Sequence, residues 1–294
     1  MVIRAVGLLS PGDMGHSVGR VLVNHGMKVL TCLEGRSDRT KQLARAAGIQ
    51  DVPSYSALVR EVDILLSILV PAQVVNAAID VARALEDSGV SLTYADCNAI
   101  SPETKKEVGR IITKAGSHFV DVGIIGSPPG RGGATKFYVS GPQLDEFASL
   151  TASGLDIRKV GSQIGQASGL KMTYAAMTKG FTAICTEALT AASKMGLYDT
   201  LITELKEDGQ RYASMERSIQ TMVYRARRWV GEMEEIASTF AHLGLTPKIH
   251  QGAADVYRTV SQTPLADETP ETLNHKRTLV QTIEIISAAE QHHQ

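Results

Sequence analysis

The residue in this chain best suited to moving a proton is Lys171, in the stretch GQASGLKMTYAAMTKGFTAICTEALTAASKMG from Gly165 to Gly196. The spacing predicts one continuous helix there: Ala, Leu, Met, Lys and Glu dominate, no proline interrupts, and Leu170, Met177, Phe181, Ile184, Ala188 and Ala191 recur at helical intervals until Gly196. Lys171 then lies near the helix amino end. Unpaired backbone N–H groups and the helix dipole favour bound anions there and disfavour a protonated amine, the setting an acid/base lysine needs. The bland alternative is an exposed helix lysine. Tyr174 reads either as a proton relay or as a half-buried wall. Lys179, two turns on, reads as a ligand for an anionic substrate or as a solvated lysine.

A second constellation lies near the amino terminus. After the apolar run VIRAVGLL (2–9) the chain reads Ser10-Pro11-Gly12-Asp13-Met14-Gly15. A dinucleotide turn needs glycine where the chain bends, where the backbone meets pyrophosphate, and where helix packs on strand. Gly12 and Gly15 occupy the last two positions; Ser10 stands at the first, with Gly7 displaced upstream. At the end of the second strand, where an acidic residue would bind the ribose of NAD, stand Cys32 and Leu33, followed by Glu34-Gly35-Arg36-Ser37-Asp38-Arg39-Thr40. The guanidinium groups of Arg36 and Arg39 and the hydroxyl of Ser37 match a 2′-phosphate, which predicts NADP; the alternative makes both arginines solvated residues at a helix start.

These groups need a scaffold. Strand, glycine turn, helix and strand follow in order over 2–33, and further strands are predicted at 63–69, 91–96, 118–125, 136–141 and 155–160, with helices between. Nearly continuous apolar runs separated by helices predict a parallel, doubly wound sheet of Rossmann type. From 165 onward the pattern is helical: the long helix, then 200–207, 222–242 and 249–261, with a last helical stretch ending in QHHQ that is expected to fray. The expected division is a dinucleotide-binding domain over 1–162 and an all-α domain over 163–294, joined by the long helix. In the latter, Arg227, Arg228, Trp229, Glu232 and Glu235 predict an ion-paired helix surface around a packed tryptophan, with substrate binding as the alternative.

The totals exclude several classes. Among 294 residues, 30 basic groups face 31 acidic ones, so no bulk field points to nucleic acid or to an anionic membrane. The three cysteines are far apart and form no C-x-x-C, and no side-chain spacing resembles a metal site. No export signal or membrane-length apolar run is present, so the expected location is the cytoplasm.

With these pieces assembled, four passages carry a resemblance: SPGDMG (10–15), DCNAISP (96–102), DVGIIGSPP (121–129) and GQASGLKMTYAAMTKG (165–180). The chain resembles the β-hydroxyacid dehydrogenase and 6-phosphogluconate dehydrogenase superfamily. RRWVGEMEEIA (227–237) is similar to a branch with its own carboxy-terminal domain of unknown function. The resemblance implies hydride transfer between a nicotinamide and a small hydroxy acid, with Lys171 as general acid/base and a dimer packed through its helical domains. It further implies Gly12, Asp13, Met14 and Gly15 at the pyrophosphate, Leu69, Val70 and Pro71 in the adenine-side loop, Asn98 near the nicotinamide ribose, and Gly126 and Ser127 at the substrate carboxylate. Two departures stand out. Ala175 replaces the asparagine usual four residues after the lysine, leaving Tyr174 as the nearest polar neighbour, and Ile125-Gly126-Ser127 replaces Ser-Gly-Gly. Imine reduction, oxidative decarboxylation and a dinucleotide sensor without turnover are the alternatives; a sensor needs the glycine turn but no proton donor.

Overall fold

Short apolar strands, most of them followed by a helix, build the first half of the molecule into a sheet covered on both faces. The structure, a computed structural model, describes residues 3–289. The predicted fraying of QHHQ lies outside the described residues. The chain divides into two compact units, Met1–Met172 and Thr173–Gln294. This places the division inside the long helix, later than the expected 162/163, because the first turn of that helix is hydrogen-bonded to the sheet.

In the first unit the order is β1 (Ala5–Leu8), α1 (Gly15–Asn24), β2 (Lys28–Thr31), α2 (Asp38–Ala46), β3 (Gln50–Asp51), α3 (Tyr55–Glu61), β4 (Ile64–Ser67), α4 (Val74–Ser88), β5 (Thr93–Asp96), α5 (Pro102–Lys114), β6 (His118–Ile125), β7 (Lys136–Ser140), α6 (Asp145–Ser149) and β8 (Asp156–Gly161). The helix α7 (Gln166–Lys194) follows. Strand order is β3-β2-β1-β4-β5-β6-β7-β8, so the winding reverses between β1 and β4. Period-two alternation divides the core: Leu65, Tyr94 and Phe119 face one layer with Val81 and Ile112, while Ile64, Leu66, Ala95 and Val120 face the other with Val18 and Leu22. Ser37, Ser54 and Ser101 cap α2, α3 and α5 by accepting the N–H of Thr40, Ala57 and Thr104.

One expectation is corrected here. β7 runs antiparallel to β6, pairing Asp121 with Ser140 and Ile125 with Lys136. A parallel neighbour needs a long crossover, whereas only the glycine-rich loop 126–135 joins these strands. That loop closes on itself, with the Thr135 hydroxyl donating to the Ser127 carbonyl at 2.5 Å.

The second unit is helical: α8 (Tyr198–Lys206), α9 (Gly209–Met222), α10 (Ala226–His242), α11 (Lys248–Ser261) and α12 (Leu279–Ala289). Met233, Ile236 and Ala237 of α10 are buried, as are Ala253, Ala254 and Tyr257 of α11, and Trp229 meets Tyr257 edge to face at 5.2 Å. No separate helix is delimited over α9 in the sequence reading, because its Arg, Glu, Ser and Gln content blurs its buried stripe of Met215, Ile219 and Met222. Among the described residues no helix is long and apolar enough to cross a membrane.

Within this unit α7 turns inside out relative to a simple hydrophobic stripe. Its large apolar residues Met177, Phe181 and Ile184 are exposed, by 76%, 48% and 56%, while Ala176, Thr182, Ala183, Thr186 and Thr190 are buried. The threonines can be buried because each hydroxyl donates to the carbonyl four residues back: Thr182 to Thr178, Thr186 to Thr182 and Thr190 to Thr186, at 2.8–3.0 Å.

Candidate functional site

The glycine turn forms because β1 and α1 leave no room for a side chain between them. A Cβ on Gly15 would lie 2.1 Å from the Ser10 carbonyl oxygen, so only glycine closes the bend. Gly7 is not part of the turn. It lies within β1, where a Cβ would press on Leu65 at 2.6 Å; its role is packing. Met14 precedes α1 and supplies no side-chain cap, which suits a helix start that receives an anion. His16, which the motif reading passes over, locks the turn: its Nδ1 lies 2.6 Å from the Gly12 carbonyl and its Nε2 3.2 Å from the Ser17 hydroxyl. Burial pulls its pKa below the ordinary histidine value despite the Gly12 hydrogen bond.

Arg36 and Arg39 both converge on this turn. Arg36 donates to the Leu9 carbonyl at 3.0 Å and to the Tyr55 hydroxyl at 3.3 Å, while Arg39 pairs with Asp13 at 2.6 Å. Ser37 is the cap of α2. Glu34 is exposed beside a cavity of about 390 Å³ lined by Cys32, Glu34, Gly35, Tyr55, Asp80 and Arg83. From the opposite side, Arg131 in the β6–β7 loop comes within 3.8 Å of Asp13. The only sequence sign of that approach is an arginine among glycines. Gly126 and Ser127, at the start of the same loop, are exposed.

The loops after β4 and β5 are clasped together. The Leu69 N–H donates to Asn98 Oδ1 at 2.5 Å, and Asn98 Nδ2 donates to Ser67 Oγ at 2.9 Å and to Asp96 Oδ1 at 2.8 Å. Asn98 is buried, with its amide committed to protein; it holds the backbone of Leu69 beside the exposed Val70, and Pro71 starts the turn into α4.

Lys171 belongs to the first unit and sits where α7 meets β6. A Cβ on Gly123 would lie 2.6 Å from the Ala167 carbonyl oxygen and 3.1 Å from Lys171 Cβ, so this glycine sets how closely the helix approaches the sheet. The first turn of α7 is anchored by Asp121 Oδ2, which accepts from the Gly165 and Ser168 N–H groups at 2.9 and 3.1 Å, and by Ser140 Oγ, which accepts from the Ala167 N–H at 2.9 Å. The expected unpaired N–H groups at the start of α7 are therefore occupied, and a carboxylate opposes the helix dipole beside them. Lys171 is half-buried.

In the second unit Tyr174 is 47% exposed. Lys179 corrects an expectation: it is neither solvated nor open to substrate, but buried in an ion pair with Glu232 and 5.3 Å from the Trp229 ring. Arg228 holds the other Glu232 oxygen at 2.9 Å, the i to i+4 pair that the sequence predicts.

Residues 5–151 match the NAD binding domain of 6-phosphogluconate dehydrogenase, and residues 192–260 match a domain of unknown function, DUF1932. An uncharacterized 28.5 kDa protein of Methanothermus fervidus is 30% identical over 227 residues, covering 76% of this chain and 86% of that one. Among solved structures, a conserved protein of unknown function, described as structurally similar to 3-hydroxyacid dehydrogenases, is 29% identical with a TM-score of 0.65, over 87% of this chain and 96% of its own. A Mycobacterium tuberculosis 3-hydroxyisobutyrate dehydrogenase solved with L-serine shares the fold at 18% identity and a TM-score of 0.68, over 96% and 99% of the two chains.

Proposed function

Because the chain belongs to the oxidoreductase family built on the NAD binding domain of 6-phosphogluconate dehydrogenase, we propose that it interconverts a small hydroxy acid and its carbonyl form with NADP as the hydride carrier. The observation that carries this reading is the seat of Lys171: an amine on the first turns of a helix anchored to the sheet through Asp121, its Cβ set against Gly123. A bound nicotinamide supplies the hydride. Lys171 gives its proton to the carbonyl oxygen as the alcohol forms and takes it back in the reverse direction. Tyr174 serves the same proton, and Gly126 and Ser127 hold the substrate carboxylate. Gly12, Asp13, Met14 and Gly15 receive the pyrophosphate, the charge of Asp13 being offset by Arg39 and Arg131. Arg36 and Arg39 meet the 2′-phosphate.

The test is a screen of hydroxy acids and oxo acids by the change in NADPH fluorescence, followed by Lys171→Met. That variant keeps side-chain length and removes the amine; kcat should fall by at least about 10²-fold, with NADPH affinity within a few-fold of the parent. Near-normal turnover refutes the assignment, and lost NADPH binding makes Lys171 structural. NADPH should bind at least about tenfold more tightly than NADH, a difference of ~1.4 kcal/mol, read by calorimetry.

The active form is a homodimer. Met177, Phe181 and Ile184 of α7 present an apolar face that their own unit leaves uncovered, which a second copy of the chain would bury.

A further inference from the structure

Lys105 lies on α5 with Val108 and Ile112 on the same buried face, and its side chain is wholly removed from solvent, as are those of Asp96 and Asp121. A buried ammonium is tolerated only when its protons are all used. Here Nζ donates to Asp96 Oδ1 at 2.7 Å, to the Val122 carbonyl at 3.3 Å and to the Asp96 carbonyl, and it lies 3.5 Å from Asp121 Oδ1. Burial would lower the Lys105 pKa, but the two carboxylates outweigh burial and raise it. The side chain therefore stays charged and pins the carboxyl end of β5 to β6.

The contacts continue in one direction. Asp96 Oδ1, held by Lys105, also accepts the backbone N–H and the side-chain amide of Asn98, and Asn98 holds Ser67 and the Leu69 N–H after β4. In a doubly wound sheet a dinucleotide lies across the carboxyl edge where strand order reverses, one mononucleotide over each half. The reversal here is between β1 and β4, and the glycine turn, Arg36 and Arg39 all belong to the β1–β2 half. The loops that Asn98 clasps belong to the other half. We propose that Lys105 is a positioning residue for the nicotinamide half of the dinucleotide, acting through Asp96 and Asn98 on the loop Leu69–Val70–Pro71, which the strand order puts in that half and not on the adenine side that the resemblance implies. This rests on the dinucleotide reading above but not on the role of Lys171.

Lys105→Met leaves two buried carboxylates facing each other and releases the Asp96 end of the clasp. Because that variant can fail to fold, the deciding one is the double variant Asp96→Asn/Lys105→Met. The parent buries one positive and two negative charges in this group, and the double variant buries one negative charge, so the net charge is unchanged. Each protein is titrated with NADPH and NADH, and with adenosine 2′,5′-bisphosphate and AMP, which lack the nicotinamide and its ribose. The double variant should melt near the parent temperature, lose at least about tenfold in affinity for the dinucleotide, and keep its affinity for the matching adenine half within about threefold. Equal losses for both ligands, unchanged dinucleotide affinity, or a double variant that does not fold each overturn the proposal. A parent protein that binds neither dinucleotide refutes the dinucleotide reading itself and the proposal with it. A parent that binds, with variants that show no selective loss, refutes the proposal alone.

Discussion

Each unit of this molecule buries a lysine against carboxylate, and the two pairs are built differently. Lys105 stands between Asp96, at the end of β5, and Asp121, within the adjacent β6, with backbone carbonyls closing round it; both carboxylates are wholly buried and Lys105 is the cation they share. Lys179 joins α7 to α10 through Glu232, whose second oxygen is held by the half-exposed Arg228. The first arrangement has no spare cation; the second has one at hand. A buried ion pair is weak grounds for stability as a whole, but removing one partner is costly in proportion to what is left unmatched. Two lysines of similar burial therefore differ in consequence through the partners that remain.

The largest expected effect follows from that difference. Lys105→Met should lower unfolding stability by about 3–5 kcal/mol, the cost of an uncompensated buried charge. Lys179→Met should cost only ~1–2 kcal/mol, because Arg228 still neutralises Glu232 and the methionine stem still packs on Trp229. Urea melts of the two variants decide it. Equal losses would mean that Arg228 contributes nothing in solution; a larger loss for Lys179→Met would reverse the comparison.

An intermediate effect concerns what lies outside the Lys179 pair on the same helix. The face of α7 opposite its buried threonines carries Met177 and Phe181, so Phe181→Glu should shift the particle from about twice the 31.5 kDa chain mass to the chain mass in light scattering. Melting of the chain itself should change little, since the side chain is half exposed. A parent protein that is monomeric and turns over would remove the need for that face.

How far these features can be read from sequence varies with their physics. The span of β6 from His118 to Ile125 and the extent of α7 follow from an unbroken apolar run and a proline-free, alanine-rich stretch. The direction of β7 does not, because strand period is the same in parallel and antiparallel pairs; only the missing crossover between 125 and 136 hints at it. The inward face of α7 is hidden for another reason: threonine hydroxyls that bond back along their own helix behave as buried groups, a property that apolar spacing does not register. The glycine turn is legible as Gly12 and Gly15, whereas the positions of Arg39 and Arg131 around Asp13 depend on loops meeting in space. Lys105 leaves a faint trace, a lysine in helical register with Val108 and Ile112.

The smallest effect separates buried histidines from buried lysines. His16 in the first unit and His250 in the second are both largely buried, His16 against the Gly12 carbonyl and His250 edge to face with Phe240 at 4.3 Å. Neither is held by a carboxylate as Lys105 and Lys179 are, and burial lowers both pKa values from the ordinary 6.5. Between the lowered folded values and 6.5 the unfolded chain binds more protons than the folded one, so stability is complete above pH 6.5 and declines as the pH falls below it. A carboxylate such as Asp63, lowered below 3.8 in spite of its burial by hydrogen bonds from Arg4 and Ala5, loses its contribution only at more acid pH. The melting temperature should therefore fall modestly between pH 7 and pH 5 without loss of the fold. His250→Leu, which fills the same apolar site with nothing to protonate, should flatten part of that slope. His16→Gln should flatten the remainder while loosening the glycine turn. A parent protein whose melting temperature is level or rises on acidification would show that the two imidazoles reach solvent, and would return both to the class of exposed histidines.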